Sequence, residues 1–107
     1  MFQTYKRNLN TKTNGSNFTQ IEIYLVWIKA TPIQGVDQNI YRKDKCGATI
    51  KYSDYGNRDS KHGWEIDHII PVSKGGNDNL SNLQPLHWKN NVSKSDGENY
   101  GFCVVKT

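Results

Sequence analysis

The stretch from Trp64 to Gly76, WEIDHIIPVSKGG, constrains this chain more than any other. Apolar and acidic residues alternate along its first half. At the two-residue period of a strand, Trp64 and Ile66 share one face, with His68 at its end. Glu65, Asp67 and Ile69 then lie on the other. Pro71 ends the strand or sets it at an edge. Ser73-Lys74-Gly75-Gly76-Asn77-Asp78 makes a sharp loop. A short alternation from Ala48 to Tyr52 predicts an earlier strand, and the Asp, Gly, Asn and Ser residues of 53–63 read as the loop between them.

The flanks are less regular. Residues 1–18 are polar and aperiodic, with an Asn14-Gly15-Ser16 turn signal, and read as a flexible arm. Thr19 and Glu22 have capping-box spacing. Ile21, Tyr24, Leu25 and Ile28 follow at helical spacing and Val26 and Trp27 widen that face, so a helix is predicted, with a strand the alternative that the β-branched content admits. Thr31-Pro32 stops it. Residues 31–47 look irregular. Residues 85–94, PLHWKNNVSK, predict a second helix with Pro85 in its first turn and Gly97 beyond its end. The tail from Tyr100 to Val105 predicts one more strand.

Size and charge narrow the class. A chain of 107 residues fits one domain (residues 19–107 after the arm) with one modest core. The longest apolar run, Tyr24 to Ile28, is far short of the ~20 residues that span a bilayer, so no membrane partner is expected. Cys46 and Cys103 are too few for a disulfide framework, which points to a reducing cytosol and a cytoplasmic protein. The net charge is +4. Residues 1–61 carry ten Lys/Arg against five Asp/Glu, and residues 62–107 four against five. A phosphate-binding face should therefore draw on the first half. Arg42, Lys43, Lys45, Lys51, Arg58 and Lys61 are its candidates, with Lys94 added from the second helix.

Several segments in order carry a resemblance. They are Asp67-His68-Ile69-Ile70-Pro71, Ser73-Lys74-Gly75-Gly76, Asn82-Leu83-Gln84-Pro85-Leu86 and Asn91-x-x-Lys94. Fourteen positions separate His68 from Asn82, and nine separate Asn82 from Asn91. This pattern resembles the HNH nuclease family over about residues 46–96. The resemblance implies a small α+β domain with a ββα-metal core, here with an additional N-terminal helix and a polar arm. It also implies a divalent-metal-dependent endonuclease acting on DNA, with duplex DNA as the substrate.

The resemblance assigns roles residue by residue. His68 is the implied general base, since a neutral imidazole can take a water's proton at physiological pH. Asn82 is implied to hold the loop that positions His68. Asp67 and Asn91 are the implied metal ligands, and an amide in place of the family's usual last His shifts the metal towards Mg²⁺ or Mn²⁺. Asn90, beside it, is expected to be inert. His87, four residues before Asn91, is a possible extra contact. Many relatives bind a structural zinc through two Cys-x-x-Cys pairs. Here the second pair falls on His87 and Asn90, and Cys46 has Thr49 where a partner would stand, so structural zinc is not expected. Sequence-specific action by so short a chain requires a homodimer or another domain. Two rival readings remain: a DNA-binding module that keeps the fold without catalysis, and a nuclease toxin or effector with an immunity partner.

Overall fold

A computed structural model of the chain describes residues 7–107. Its elements run α1 (Gln20–Trp27), β1 (Thr31–Pro32), β2 (Tyr41–Lys43), β3 (Thr49–Lys51), β4 (Trp64–His68), β5 (Leu83–His87) and α2 (Trp88–Lys94), with three short 3₁₀ turns between them. The first three strands form an antiparallel sheet in the order β1-β2-β3. β4 and β5 form a separate antiparallel pair that registers Trp64 with His87 and His68 with Leu83. Two helices with two small sheets make the α+β class that the sequence predicts. β4, β5 and α2 form its ββα unit.

α1 begins as expected. The Thr19 side chain accepts from the Glu22 amide, and the Glu22 carboxylate accepts from the Thr19 amide. The buried face is only partly the expected one. Ile23, Val26 and Trp27 point inward, while Ile21 is 72% exposed and Tyr24 and Ile28 also face out. The helix is apolar nearly all round, so its sequence does not select a face. Packing of Trp27 against Trp64, with ring centroids 5.3 Å apart, selects it. Around this pair lie Phe18, Ile50, Ile66 and Leu83.

Three further expectations change. Residues 83–87, not a longer helix, pair with β4, and Pro85 lies in that strand opposite Ile66. A two-stranded ribbon turns every second N–H away from its partner, so a proline fits at such a position. The span 31–47 contains two strands where irregular chain was expected. The tail from Tyr100 to Val105 is not a strand. It is tied instead by side chains, with Asn90 Oδ1 accepting from the Val104 and Val105 amides at 2.8 Å. Of the arm expected over 1–18, residues 1–6 lie outside the described residues. Residues 7–18 run along the domain. Asn10 Oδ1 accepts from the Ile66 amide at 2.9 Å, and Lys12 pairs with Glu22 at 2.8 Å.

Cys46 and Cys103 form a disulfide with Cα atoms 5.5 Å apart. Such a bond persists in oxidising surroundings, so cysteine usage no longer argues for a reducing cytosol. Among the described residues, no helix is long and apolar enough to cross a membrane. The bond closes a sequence separation of 57 residues. Removing it restores loop entropy to the unfolded chain, and Cys103→Ser is expected to lower the unfolding free energy by about 2–4 kcal/mol. Urea unfolding of both proteins without reductant measures this.

Candidate active site

His68 is the last residue of β4, and the chain leaves it for a loop that Asn82 closes. The Asn82 side chain accepts from the Ile70 amide at 2.8 Å and donates to the carbonyls of Ile70 at 3.1 Å and Asn77 at 2.9 Å. Its backbone carbonyl takes the Ile69 amide at 2.8 Å. One amide side chain, with a donor and an acceptor end, thus pins both limbs of the loop. The glycines make this closure feasible. Gly75 has φ +89°, and a Cβ on Gly76 would stand 1.7 Å from the Ile70 carbonyl oxygen.

The His68 ring has a partner that sequence reasoning missed. Its Nε2 lies 2.9 Å from Asp78 Oδ1, and Phe18 packs beside it with centroids 6.2 Å apart. Asp78 also accepts from the amide and hydroxyl of Thr13. Burial alone pushes Asp78 upward. The hydrogen bonds from His68 and Thr13 outweigh it and hold the carboxyl below its ordinary range.

The opposite face of β4 is acidic and covered. Glu65 and Asp67 point towards α2, which runs along the strand with Asn91 at Glu65 and Lys94 at Asp67. Glu65 is 0% exposed. Its carboxylate receives Arg58 through Nε at 2.7 Å and Nη2 at 2.9 Å, and Asn91 Nδ2 at 2.8 Å. Asp67 receives Gln84 Nε2 at 2.9 Å and Lys94 Nζ at 3.2 Å. Burial pushes Asp67 above the ordinary carboxylate range, against the pull of Gln84 and Lys94. Strand periodicity placed Glu65 beside Asp67 but gave it no role. The signal was its position two residues earlier on the same face.

The donors on this face suit a hard cation in kind. Asp67 offers a carboxylate. Asn91, with its Nδ2 spent on Glu65, has Oδ1 remaining. Mg²⁺ commonly takes one or two carboxylates and completes its shell with water and phosphate. Among the described residues, no cluster of three or more His, Cys, Asp or Glu side chains is placed to hold a metal. Lys94 already neutralises part of the charge on Asp67.

Other candidates have different positions. Lys94 is 3% exposed and also donates to the His68 carbonyl, so it is an internal cation, not a surface one. Arg42 is buried and donates to the carbonyls of Gln38 and Ala30. Its charge serves the backbone and not an outer face. Lys45 and Lys61 are exposed, Arg58 is partly so, and Lys43 and Lys51 are half-buried. His87 is buried with both ring nitrogens engaged, Nε2 with the Lys61 carbonyl and Nδ1 accepting from the Lys89 amide as the cap of α2. Asn90 is not inert. It is fully buried and donates to Asp44 Oδ2 at 3.0 Å and to the Val105 carbonyl at 2.9 Å. Asp44 in turn accepts from the amides of Cys46, Ala48 and His87, all at 2.9 Å.

The two neighbouring asparagines should therefore separate in experiment. Asn90→Ala leaves Asp44 and the Val104 and Val105 amides short of partners and should cost about 2–4 kcal/mol. Asn91→Ala should cost under about 1 kcal/mol, because Arg58 still pairs with Glu65. Thermal and urea unfolding of both variants measures the difference.

The HNH endonuclease family model matches residues 44–97, half of the chain. Comparison with curated proteins and with solved structures finds no match. The matched span takes in β4, the loop pinned by Asn82, β5 and α2, and the chain belongs to the HNH endonuclease family.

Proposed function

We propose that the chain is a divalent-metal-dependent endonuclease that hydrolyses phosphodiester bonds of double-stranded DNA, with His68 as general base. The observation that carries this reading is the Asn82 clamp, which fixes the loop directly after His68. A base must be held within reach of the water it deprotonates, and such a clamp supports that function. Asp67 and Asn91 would hold the cation, and their oxygens suit Mg²⁺ or Mn²⁺ better than Zn²⁺. When bound, the cation supplies positive charge for the developing phosphorane and the leaving oxygen. Glu65 orients the Asn91 amide by taking its Nδ2–H. Arg58, held by Glu65 and 5.8 Å over the Trp88 ring, presents a fixed guanidinium beside Asn91.

The test is cleavage of supercoiled and linear DNA with Mg²⁺, Mn²⁺ and Zn²⁺. Wild type should cut with the first two and poorly with the third. His68→Ala should lose about 10²–10⁴-fold in rate with metal and DNA affinity nearly unchanged. Asp67→Ala should lose metal binding by calorimetry. Cleavage by His68→Ala within tenfold of wild type would remove the histidine from the role.

DNA affinity should fall steeply with salt. Engagement of Lys43, Lys45, Lys51, Arg58 and Lys61 gives five cationic contacts and a log–log slope of roughly −4.5. Neutralising Lys45, Lys51 and Lys61 together should flatten it by about 2.7. Arg42→Ala should leave the slope unchanged and lower stability instead. Fluorescence anisotropy across a salt series reads both.

A further inference from the structure

The N-terminal loop reaches the His68 end of β4 through Thr13 and Phe18. Residues 11–17 close on themselves through a bridge between Thr11 and Asn17 and through the Lys12 amide on the Ser16 carbonyl at 2.8 Å. Arg7 Nη2 braces the loop on the carbonyls of Thr11 at 2.6 Å and Lys12 at 3.0 Å. The Lys12–Glu22 pair ties it to the start of α1, and Asn10 ties it to β4. Thr13 projects from this braced loop onto Asp78, 65 residues away in sequence. Its amide lies 3.1 Å from both carboxylate oxygens, and its hydroxyl lies 2.8 Å from Oδ2. Asp78 Oδ1 then meets His68 Nε2 at 2.9 Å.

We infer that Asp78 is the positioning residue of His68 and that Thr13, carried by the N-terminal loop, locks Asp78 in that task. The inference rests on the nuclease reading of His68. An ionised carboxylate only accepts, so the contact is a hydrogen bond only when Nε2 carries the proton. That leaves the lone pair on Nδ1, the nitrogen free to take a proton from water. The carboxylate also stabilises the imidazolium that forms, as in any base–carboxylate pair. Thr13 holds both Asp78 oxygens, so the carboxylate cannot turn away from the ring. Phe18, which ends the same loop, closes the side of the imidazole. The loop that reads in sequence as a free arm thereby becomes part of the catalytic apparatus without touching the substrate.

The experiment pairs a spectroscopic readout with a kinetic one on the full chain. In ¹⁵N-histidine-labelled protein without metal or DNA, wild type should show a protected, downfield Nε2–H resonance for His68, assigned by its loss in His68→Ala. Asp78→Ala should abolish that resonance. Thr13→Val should broaden it, and Thr13→Ser, which keeps the hydroxyl, should restore it. In cleavage assays Asp78→Ala should lower kcat about 10–100-fold with KM within twofold, the loss typical of an orienting partner. Thr13→Val should fall in between, with Thr13→Ser close to wild type. A persistent Nε2–H resonance in Asp78→Ala, or kcat within threefold of wild type, overturns the inference. If Asp78→Ala fails to fold, the two variants of exposed Thr13 decide it. If wild type cuts no DNA, the nuclease reading fails, and the resonance alone decides whether the Thr13–Asp78–His68 chain exists.

Discussion

Two carboxylates buried on one face of a five-residue strand set the conditions for everything around them. Glu65 and Asp67 alternate with Trp64 and Ile66, so pairing β4 in register puts tryptophan and isoleucine in the core and both acids against α2. An uncompensated buried charge costs several kcal/mol. Arg58 and Asn91 therefore converge on Glu65, and Gln84 and Lys94 on Asp67. Apolar residues of similar volume would often be as stable or more so. Stability alone therefore does not account for the two paired acids on this face of β4.

The parts of this arrangement that follow local rules were legible in the sequence. The Thr19–Glu22 capping box, the alternation of β4, the glycine loop and the bridging capacity of Asn82 each depend on residues close in sequence or on fixed periods. Other features depend on partners far away, and no local rule contains them. Pro85 reads as a helix start until Ile66 is known to lie opposite it. Arg42 and Lys94 read as surface cations, because sequence does not show that carbonyls or a carboxylate wait inside. The inward face of α1 was ambiguous because both faces are apolar. Asp78 looked like one more loop residue, since its partners His68 and Thr13 lie 10 and 65 positions away.

The region where many relatives are expected to hold zinc uses different chemistry. His87 and Asn90 stand at the places of the second cysteine pair. Here the His87 amide and the Asn90 side chain both go to Asp44 Oδ2, while Asn90 Oδ1 takes two amides from the tail. Cys46, two residues after Asp44, is bonded to Cys103 in that same tail. A carboxylate, an amide and one disulfide thus join three distant segments, which is the mechanical task a tetrahedral metal performs. The substitution also alters what disrupts the region. A reductant breaks the covalent link to the tail and leaves its hydrogen bonds to Asn90 and to the Thr49 amide.

That junction reaches the end of β4 and His68 through α2. The helix has seven residues, well below the ~12–15 at which an isolated helix becomes marginally stable in water. Its conformation must come from what holds its ends. His87 caps the first turn and Asn90 fastens it to Asp44, while Lys94 fastens the last turn to Asp67 and to the His68 carbonyl. Asn91 lies between these two anchors, one residue past the first and three before the second. Its amide meets Glu65 at 2.8 Å. The placement of Asn91 is therefore set by a structural asparagine on one side and a buried lysine on the other.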